Sequence, residues 1–415
     1  MKSKRIVISN GGYKFHLAPL SVEMYRAGIL AGFLTAGWPR GWQKWVAKRF
    51  PNSKAWKRFL DRAEGIPEEI VYSFGLTEIF FQGADVLVRR WSQTWQQKLH
   101  RVGFWFYSRK AAKVVGKIKP DIYHYRNCYG LKSVEIAKQK GAVCLCDHSI
   151  AHPYFVQWLE TNRGTWPTRD DLQKIPSSLM PMQQAMAIDL GLADHTLVNS
   201  DFVKQTCIEA GMEAEKVHVI YLGVDDAFFQ MLDSNASAEK VSPSTILFAG
   251  GWQRRKGVDT LIEALMGSDF TWNIEIAGGI KTEVHSIPNM TEFLKSESVN
   301  YLGVLSRSDL AVTMKRHRIF VFPSYCEGSA RVIFEAMAAG CYIITTPNSG
   351  SIVADGIHGK IVNCGDVSGM REAIEYALSN LVEIEKIGRN NAALVAKEYR
   401  QRDYGLKVRA LYESL

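Results

Sequence analysis

Residues 319–340 read IFVFPSYCEGSARVIFEAMAAG, and this segment is the clearest indication of the fold class. Its first four residues, 319–322, are apolar and predict a short buried strand, which Pro323 and Ser324 close. The apolar spacing over residues 330–339 predicts a helix directly after the loop. A buried strand, a short loop and a helix packed by small residues are typical of one unit of a parallel α/β sheet.

Two carboxylates stand eight residues apart in this segment, Glu327 in the loop and Glu335 on the helix. We expect Gly328, Ser329 and Ala330 to form the end of the loop and the first helical turn. Exposed amides and the helix dipole favour an anion or a ring of hydroxyls there. Glu335 then lies roughly two turns further along, on nearly the same face as Glu327, and each carboxylate can accept two vicinal hydroxyls. A capped amphipathic helix with two surface acids is the alternative interpretation.

The strand and helix pattern continues on both sides of this segment, in two series separated near residues 225–244. Residues 226–244 form a predicted linker, because 234–244 is small, polar and contains a proline. The sequence therefore predicts an α/β protein of two doubly wound, Rossmann-like domains, residues 1–225 and 245–396, that face a cleft. The predicted strands are 4–9, 121–125, 142–146, 195–199, 217–221, 245–249, 272–277, 301–303, 319–322, 342–345 and 360–362.

Composition is that of an ordinary globular chain of 415 residues, 47% apolar and 22% charged. The most apolar stretch, residues 27–37, falls short of the roughly 18–20 residues that span a bilayer. The apolar run at residues 6–8 ends in Asn10, Gly11 and Gly12, which predicts a strand and a turn and not a secretion signal. Seven cysteines are scattered without a CxxC pair, so we expect reduced thiols, a cytoplasmic location and no metal site.

The formal net charge of +9 is concentrated in the first third of the chain. Residues 1–120 hold 22 Lys and Arg against 7 Asp and Glu, a local charge of +15, and 7 of the 11 Trp. Residues 38–110 therefore predict peripheral contact with an anionic membrane, on the inner face of the cytoplasmic membrane. Trp in the core under a solvated basic face is the alternative, and no recognition motif supports nucleic acid. The residues concerned are Trp38, Arg40, Trp42, Lys44, Trp45, Lys48, Arg49, Lys54, Trp56, Lys57, Arg58, Arg89, Arg90, Trp91, Trp95, Arg101, Phe104, Trp105, Phe106, Arg109 and Lys110.

A glycine pair and a basic loop follow the first predicted strand of the second series. Gly250 and Gly251 end that strand, and Arg254, Arg255 and Lys256 follow them. Glycines let a ligand approach the backbone, and three consecutive cations can neutralise a diphosphate. Basic residues in a solvated surface loop are the alternative.

Histidines and glycines follow two predicted strands of the first series. Gly11 and Gly12 come directly after the first strand, where a phosphate often approaches a parallel sheet, and His16 follows them. His148 and His152 follow the strand at 142–146, in a loop closed by a proline. Both can face the cleft, and either can instead be a structural histidine.

Together these segments resemble the retaining glycosyltransferases of family 4, which have the GT-B fold. The resemblance covers nearly the whole chain, although residues 149–182 look like a family-variable insertion. One departure is Gly251, where the family often has Arg. The matching positions are Glu327 and Glu335 in the E-x7-E motif, residues 255–257 in the basic phosphate-binding motif, Gly11, Gly12 and His16 in the GG-x-x-x-H turn, His148 at the active-site His, and residues 193–200 and 221–225 before the hinge.

The resemblance implies a UDP- or GDP-linked sugar as donor, no cofactor or metal, and a final helix, residues 397–415, that crosses back onto the first domain. Glu335 would bind the ribose hydroxyls and Glu327 the donor sugar. His148 would contact the sugar near the reacting carbon, with His16 and His152 as acceptor-side or second-choice histidines. The remaining implied contacts are Arg255, Lys256, Arg254, Gly11, Gly12 and Gly250 at the diphosphate, Gly328, Ser329 and Ala330 at the sugar and its phosphate, and Val304 and Leu305 at the base.

The function that this resemblance predicts is transfer of a sugar to a glycan or lipid-linked acceptor, in the synthesis of a cell-surface polysaccharide. A nucleotide-sugar epimerase of GT-B fold and a transferase with a soluble small-molecule acceptor are the alternatives. A non-catalytic nucleotide-sugar-binding protein is a third, which the paired glutamates, Lys256 and His148 disfavour.

Overall fold

The computed structural model describes residues 4–12, 16–39, 65–75, 92–162, 165–175, 179–234, 239, 241–242, 244–281 and 286–415, with positions 41, 45, 49, 60, 77 and 81. These residues form two parallel sheets. The first has the order β3-β2-β1-β4-β5-β6-β7 and consists of β1 (Ile6–Gly11), β2 (Leu30–Thr35), β3 (Val71–Ser73), β4 (Ile122–Arg126), β5 (Val143–His148), β6 (His195–Val198) and β7 (Val217–Val219). The second has the order β10-β9-β8-β11-β12-β13 and consists of β8 (Thr245–Ala249), β9 (Asn273–Ala277), β10 (Val299–Gly303), β11 (Ile319–Phe322), β12 (Tyr342–Thr345) and β13 (Gly359–Ile361).

Helices cover the sheets and connect successive strands, as parallel pairing requires. Those of the first unit are α1 (Leu17–Arg26), α2 (Gln93–Ile118), α3 (Leu131–Gln139), α4 (Pro153–Thr161), α5 (Arg169–Gln173), α6 (Pro181–Leu192) and α7 (Asp201–Glu209). Those that follow are α8 (Asp226–Ser234), α9 (Val258–Met266), α10 (Met290–Lys295), α11 (Arg307–Arg316), α12 (Arg331–Ala338), α13 (Val367–Ser379), α14 (Leu381–Glu398) and α15 (Gln401–Ser414).

The central strands are buried along their whole length, which explains their uniformly apolar sequences. Every residue of β8, β11 and β12 is buried, because helices cover both faces of a parallel sheet. The predicted α/β fold of two doubly wound units is therefore confirmed, and the bounds of these three strands agree with the prediction residue by residue.

Several elements differ from what the sequence suggested. The apolar stretch at residues 27–37 contains the strand β2, and β3 was not foreseen at all. The predicted linker begins with the helix α8, whose Phe228, Phe229 and Leu232 pack into the core of the second sheet. Residues 149–182 form α4, α5 and the start of α6, with Phe155 of α4 buried against Phe202.

The chain passes between the two units at two points that lie side by side. Val224 forms an isolated parallel bridge with Arg400, in which the amide of Val224 donates to Tyr399 and that of Gln401 donates to Val224. A Cβ on Gly223 would lie 2.3 Å from the Arg400 backbone, so only glycine permits this approach. The outgoing and returning segments are thus held together where the units join.

The last helix, α15, returns to the first unit, as predicted. It begins at Gln401, four residues after the predicted start at residue 397, because α14 continues to Glu398. Its Tyr404, Val408 and Tyr412 are buried in the core beside β1. Nδ1 of His124 on β4 shares a buried hydrogen bond of 2.6 Å with the hydroxyl of Tyr412.

Two global properties bear on the remaining sequence predictions. Among the helices of the described residues, none combines the length and the apolar character needed to cross a bilayer. All seven cysteines are free thiols.

We expect Tyr412→Phe to lower the free energy of unfolding by about 1–3 kcal/mol, because the buried His124 loses its partner where water does not replace it. Urea denaturation measures the change. Tyr376→Phe is the matched control, since its hydroxyl also has a partner, Glu383, but its ring is 42% exposed. The control should stay within about 0.5 kcal/mol. Equal effects of the two substitutions would contradict the importance of the buried contact.

Candidate active site

Both sheets reverse their strand order at a pair of central strands, β1 with β4 in the first and β8 with β11 in the second. Ligands of doubly wound sheets bind outside the carboxyl ends of the strands at such points. Gly11 and Gly12 lie at the end of β1, Gly250 follows β8, and Glu327 follows β11. The sequence-predicted residues are therefore distributed over the switch points of both sheets.

The two units meet at Gly328, in the loop between β11 and α12. A Cβ on Gly328 would lie 1.9 Å from the carbonyl oxygen of Ser149 and 3.2 Å from Nδ2 of Asn199. The hydroxyl of Ser200 donates a hydrogen bond of 2.5 Å to the Gly328 carbonyl. A Cβ on Gly350, where φ is +60°, would lie 2.2 Å from that same oxygen. The loop of the second sheet thus touches the ends of β5 and β6 without room for any side chain.

Three donors converge on one oxygen of Glu327. Arg255 contacts Oε1 at 2.7 Å, the hydroxyl of Ser324 donates to it at 3.0 Å, and the ammonium of Lys256 forms an ion pair with it. Arg255 also donates to the carbonyl of Cys326. The structure therefore brings together Arg255, Lys256 and Glu327, which the sequence predicts at the diphosphate and the sugar.

Lys256 lies deep in this group, with its side chain only 12% exposed. Burial lowers the pKa of Lys256, and the neighbouring Glu327 opposes that shift. Its ammonium also lies 4.6 Å from the centre of the Phe322 ring. Gly257, with φ of +70°, fixes the turn, because a Cβ there would lie 1.9 Å from the carbonyl of Pro323. The basic loop is thus held against β11 by backbone geometry.

Glu335 has a separate set of partners. It lies on α12, whereas Glu327 precedes that helix, so the two carboxylates do not share a helical face as expected. Arg307 contacts Oε1 of Glu335 at 3.1 Å. Burial raises the pKa of Glu335, and Arg331 and Arg307 oppose that shift.

The loop amides before α12 are only partly available. The helix begins at Arg331, later than the sequence suggested, so Gly328, Ser329 and Ala330 all precede it. The amide of Ala330 donates to the carbonyl of Ser349 at 3.1 Å. A phosphate that binds the Ala330 amide therefore has to replace this bond, whereas the roles predicted for the other two residues stay predictions.

His148 ends β5 and is 1% exposed. Nδ2 of Asn127 donates to Nδ1 of His148 at 2.8 Å, because an amide nitrogen only donates. Nε2 therefore holds the ring proton. Burial, with the nearby Arg126, lowers the pKa of His148 to about 4, so that it is a neutral donor at neutral pH.

Four buried polar atoms near the contact between the units have no hydrogen-bond partner among the described residues. They are Nε2 of His148, Oδ1 of Asn127, Oδ1 of Asn199 and Oγ of Ser329. An unsatisfied buried polar group costs about 1–3 kcal/mol. Trp38, Trp252 and Asn391 also have such atoms, but the four atoms here lie together at one contact. A ligand rich in hydroxyls would satisfy them.

His16 is linked to the end of β5 by the buried carboxylate of Asp147, the residue before His148. Its Nε2 donates to Oδ2 of Asp147 at 2.7 Å, and Arg126 donates to Oδ1 at 2.6 Å. Burial alone would raise the pKa of Asp147, but His16, Arg126 and His124 outweigh it and hold the pKa well below its ordinary value. His16 thus has a structural partner directly next to His148 in sequence.

His152 caps the helix α4 from the inside of the first unit. Its Nδ1 accepts from the amide of Tyr154 at 3.3 Å, and its own amide donates to the hydroxyl of Thr206. Burial, with the nearby His148, lowers the pKa of His152 to about 3. The two sequence candidates for the cleft histidine therefore differ in surroundings, since His148 alone combines Asn127 with a ring nitrogen that lacks a partner.

The glycine turn after β1 fits only a residue without a side chain. Gly11 has φ of +73°, and a Cβ there would lie 2.5 Å from the ring of Tyr129. The hydroxyl of Tyr107 accepts from the Gly11 amide at 3.3 Å and shares a hydrogen bond of 2.9 Å with Ser9. Gly12 follows as a buried bend, so the backbone is the surface that this turn offers to a ligand.

Four predicted contacts follow strands β8 and β10 of the second sheet. Gly250 has φ of +144°, and Gly278 packs against it so closely that a Cβ on Gly278 would lie 1.7 Å from its carbonyl oxygen. Arg254 turns away from Glu327 and donates to the carbonyl of Ser286 at 2.9 Å. Val304 is 81% exposed after β10, the edge strand, and Leu305 packs partly against the core.

A cleft of about 570 Å³ opens beside the cationic group. One wall belongs to the first unit and is largely aliphatic, and the other belongs to the basic loop and the segment after β11. Its lining includes Ile150, Val156, Leu159, Arg254, Arg255 and Tyr325.

Several residues of this region were not predicted. Asn127 and Arg307 stand in no sequence motif, and only the fold brings them to His148 and Glu335. Asn199 ends a predicted strand and Ser200 follows it, and both stand in the stretch 193–200 that resembles the family, but no site role was predicted for either of them.

We expect Gly328→Ala to force the units apart, because the new Cβ would lie 1.9 Å from the Ser149 carbonyl. Small-angle scattering should show a larger radius of gyration, and the free energy of unfolding should fall by about 1–3 kcal/mol. Gly191→Ala on α6 is the control, because a Cβ there meets nothing within 4 Å. It should stabilise the helix by about 0.5–1 kcal/mol. An unchanged scattering curve for Gly328→Ala would contradict the contact.

Each of the two units matches a known protein family. Residues 62–228 match the family Glycosyltransferase Family 4, and residues 230–393 match the family Glycosyl transferases group 1. The Capsular polysaccharide biosynthesis glycosyltransferase CapM of Staphylococcus aureus is 23% identical over 232 residues, 53% of this chain and 59% of the relative. The N,N'-diacetylbacillosaminyl-diphospho-undecaprenol alpha-1,3-N-acetylgalactosaminyltransferase of Campylobacter jejuni is 30% identical over 212 residues, 49% of this chain and 52% of the relative.

These two matches span little more than half the length of each relative. The crystal structure of Anabaena Alr3699/HepE in complex with UDP covers 99% of this chain and 100% of that chain, with a TM-score of 0.64 at 15% identity. That likeness shows the fold. The two family matches together contain the strands β3 to β13, and this chain belongs to the family 4 glycosyltransferases of GT-B fold.

Proposed function

We propose that this protein transfers a sugar from a nucleoside-diphosphate sugar, UDP- or GDP-linked, to a glycan or lipid-linked acceptor, with retention of the anomeric configuration. The observation that supports it best is the meeting of the loop after β11 with the ends of β5 and β6 at Gly328, with buried polar atoms lacking partners among the described residues on one side and Arg255 and Lys256 on the other. Two relatives are named for capsular polysaccharide synthesis and for a diphospho-undecaprenol substrate, which supports a role in polysaccharide or glycan synthesis.

The basic loop can stabilise the negative charge that develops on the leaving group. As the bond to the sugar breaks, the nucleoside diphosphate gains negative charge, and fixed cations lower the energy of that state. Arg255 and Lys256 are held in place by Glu327 and by the turn at Gly257. Because these side chains supply positive charge themselves, we infer that transfer needs no metal.

Recognition of the donor sugar falls to the groups around Gly328. His148 is neutral and presents a proton on Nε2, which can donate to a sugar hydroxyl. Oδ1 of Asn199 accepts, and the hydroxyl of Ser329 can do either. Glu327, already anchored through Oε1, lies next to these groups and can accept from further hydroxyls.

Glu335 is the proposed ribose-binding carboxylate. It lies on α12 away from the cations that hold Glu327, so it is not engaged with the diphosphate group. A carboxylate accepts two vicinal hydroxyls at once, and this suits the two hydroxyls of a ribose. The exposed Val304 at the end of β10 offers an apolar surface for the base.

We expect Lys256→Ala to reduce transfer by at least about 10²-fold, because a buried cation beside the leaving group is lost. A thermal-shift screen of UDP- and GDP-sugars identifies the donor, and transfer and donor hydrolysis are then assayed with and without EDTA. Glu335→Ala should likewise abolish transfer through weaker donor binding. Lys360→Ala is the control, since Lys360 is exposed and pairs with Asp355. Near-wild-type turnover of Lys256→Ala would refute its role, and loss of activity in EDTA would refute metal independence.

We also propose that the first unit docks on an anionic membrane through one face of α2. Trp95, Val102, Trp105 and Phe106 are between 43% and 61% exposed, and their spacing places them along one side of the helix. The opposite side, with Phe104 and Tyr107 among others, is buried in the core. Exposed aromatics on a helix surface are typical of a membrane interface.

Basic side chains lie on the same face of α2. The ammonium of Lys98 lies 4.8 Å from the ring centre of Trp95, and the guanidinium of Arg109 lies 4.3 Å from that of Trp105. Arg101 and Lys110 stand nearby on the helix, and Arg101 donates to Gln184. Such pairs of cation and aromatic ring suit anionic headgroups above an apolar layer.

The remaining residues of the basic, Trp-rich region divide into three groups. Trp38 and Phe104 are buried, so for these two the alternative of core aromatics is correct. Trp45 is 69% exposed, and Arg49 is exposed as well. Outside the described residues lie Arg40, Trp42, Lys44, Lys48, Lys54, Trp56, Lys57, Arg58, Arg89, Arg90 and Trp91.

We expect the protein to co-sediment at low salt with vesicles of phosphatidylglycerol and phosphatidylcholine, and less with phosphatidylcholine alone. The pair Lys98→Glu and Arg109→Glu should weaken binding at least about thirtyfold, at about 1 kcal/mol for each basic residue. Trp105→Ser with Phe106→Ser should weaken binding to both vesicles. Val382→Ser with Leu406→Ser, at exposed apolar positions of α14 and α15, is the control. Absence of wild-type co-sedimentation, or equal losses in the control, would contradict this surface.

A further inference from the structure

Arg307 joins two carboxylates from different parts of the chain. It is the first residue of α11, and its Nη2 contacts Oδ2 of Asp225 at 2.5 Å and Oε1 of Glu335 at 3.1 Å. Asp225 lies next to Val224, where the chain passes between the units. Glu335 is the carboxylate proposed above to bind ribose. One guanidinium thus links the crossing point to the nucleotide-binding carboxylate.

The place of Arg307 is set by contacts other than Glu335. Its guanidinium lies 5.5 Å from the ring centre of Phe228, which is fully buried in α8. Asp225 is itself fixed, since its Oδ1 accepts from the amide of Phe228 at 3.0 Å. Contacts with Asp225 and Phe228 at the start of α8 therefore hold Arg307 beside Glu335.

The charge on Glu335 depends on three neighbours. Burial disfavours its ionised form and raises its pKa, and the charge of Asp225 acts in the same direction. Arg331 and Arg307 act in the opposite direction, but only Arg307 is hydrogen-bonded to the Glu335 carboxylate. Arg331 instead lies 3.4 Å from Asp225.

We propose that Arg307 is a positioning residue that keeps Glu335 ionised and oriented for the ribose hydroxyls of the donor nucleotide. This inference rests on the proposed role of Glu335. The hydrogen bond to Oε1 fixes the plane of the carboxylate and leaves Oε2 for a hydroxyl. A protonated Glu335 has a donor where the ribose needs an acceptor, so loss of its charge weakens nucleotide binding.

The sign of the pH dependence follows from these charges. Without Arg307 the pKa of Glu335 rises further, so affinity falls as the pH is lowered through that raised pKa. Without the charge of Asp225 the pKa of Glu335 falls, and affinity persists to lower pH than in the wild type. Substitutions of Arg307 and of Asp225 thus shift the pH dependence of nucleotide affinity in opposite directions, whereas simple damage to the fold would weaken binding in both variants.

Calorimetric titration with UDP and GDP from about pH 5 to about pH 8 tests this inference. The ratio of variant to wild-type dissociation constants at each pH cancels the titration of the nucleotide itself. For Arg307→Gln we expect a loss of about tenfold at the acid end, which corresponds to one pKa unit, and a smaller loss at the alkaline end. Arg307→Lys should restore most of the affinity, and Asp225→Asn should show no acid loss.

Two further variants separate a positioning role from a structural one. In a Glu335→Gln background, which has no charge to lose, Arg307→Gln should add no pH-dependent loss. Arg316→Gln, at the far end of α11 where the side chain donates to the Glu239 carbonyl, should bind as the wild type at every pH. A loss for Arg307→Gln that is absent, the same at all pH values, or not rescued by lysine would overturn the inference. If the wild type binds neither nucleotide, the proposed function itself fails.

Discussion

The close approach of Gly328 to the first unit is the contact on which the rest of the site depends. No side chain fits between Gly328 and the Ser149 carbonyl, and Ser200 binds the Gly328 carbonyl from the same side. The loop after β11 is therefore held directly over the ends of β5 and β6. Because ligands of doubly wound sheets bind outside the carboxyl ends of the strands, this contact brings candidate residues of both sheets to one cleft. Buried polar atoms of His148 and Asn199 lie beside it.

The two glutamates illustrate how one loop and helix divide two tasks. Glu327 is saturated on one oxygen by Arg255, Lys256 and Ser324, so its charge is offset within its own unit. Glu335 is buried without such an excess of donors, and its pKa is raised. The first carboxylate therefore organises cations, whereas the second stays a strong acceptor whose charge depends on its surroundings. The E-x7-E spacing in the sequence does not reveal this difference between the two glutamates.

Much of the second sheet could be predicted because fully buried strands have uniformly apolar sequences. The strands β8, β11 and β12 are continuous apolar runs, so the ends of each run give the bounds of the strand. The sequence pattern does not distinguish β2 within the apolar run at residues 27–37, and it predicts a linker in place of α8 because polar residues follow that helix. Glu327, Lys256 and His148 were identified from their place after strands. Asn127 and Arg307 could not be, since tertiary packing alone brings them to their partners.

The buried polar groups connect binding to the arrangement of the units. In most of a protein interior a polar group finds a partner, yet His148, Asn199 and Ser329 each keep an atom without one among the described residues. A hydroxyl-rich ligand bound beside Gly328 would satisfy these atoms and so stabilise this arrangement of the units. Asp225, beside the Val224 and Arg400 bridge, is held through Arg307 to Glu335. The charge balance at the carboxylate proposed to hold the nucleotide therefore includes Asp225, a residue beside the point where the chain passes between the units.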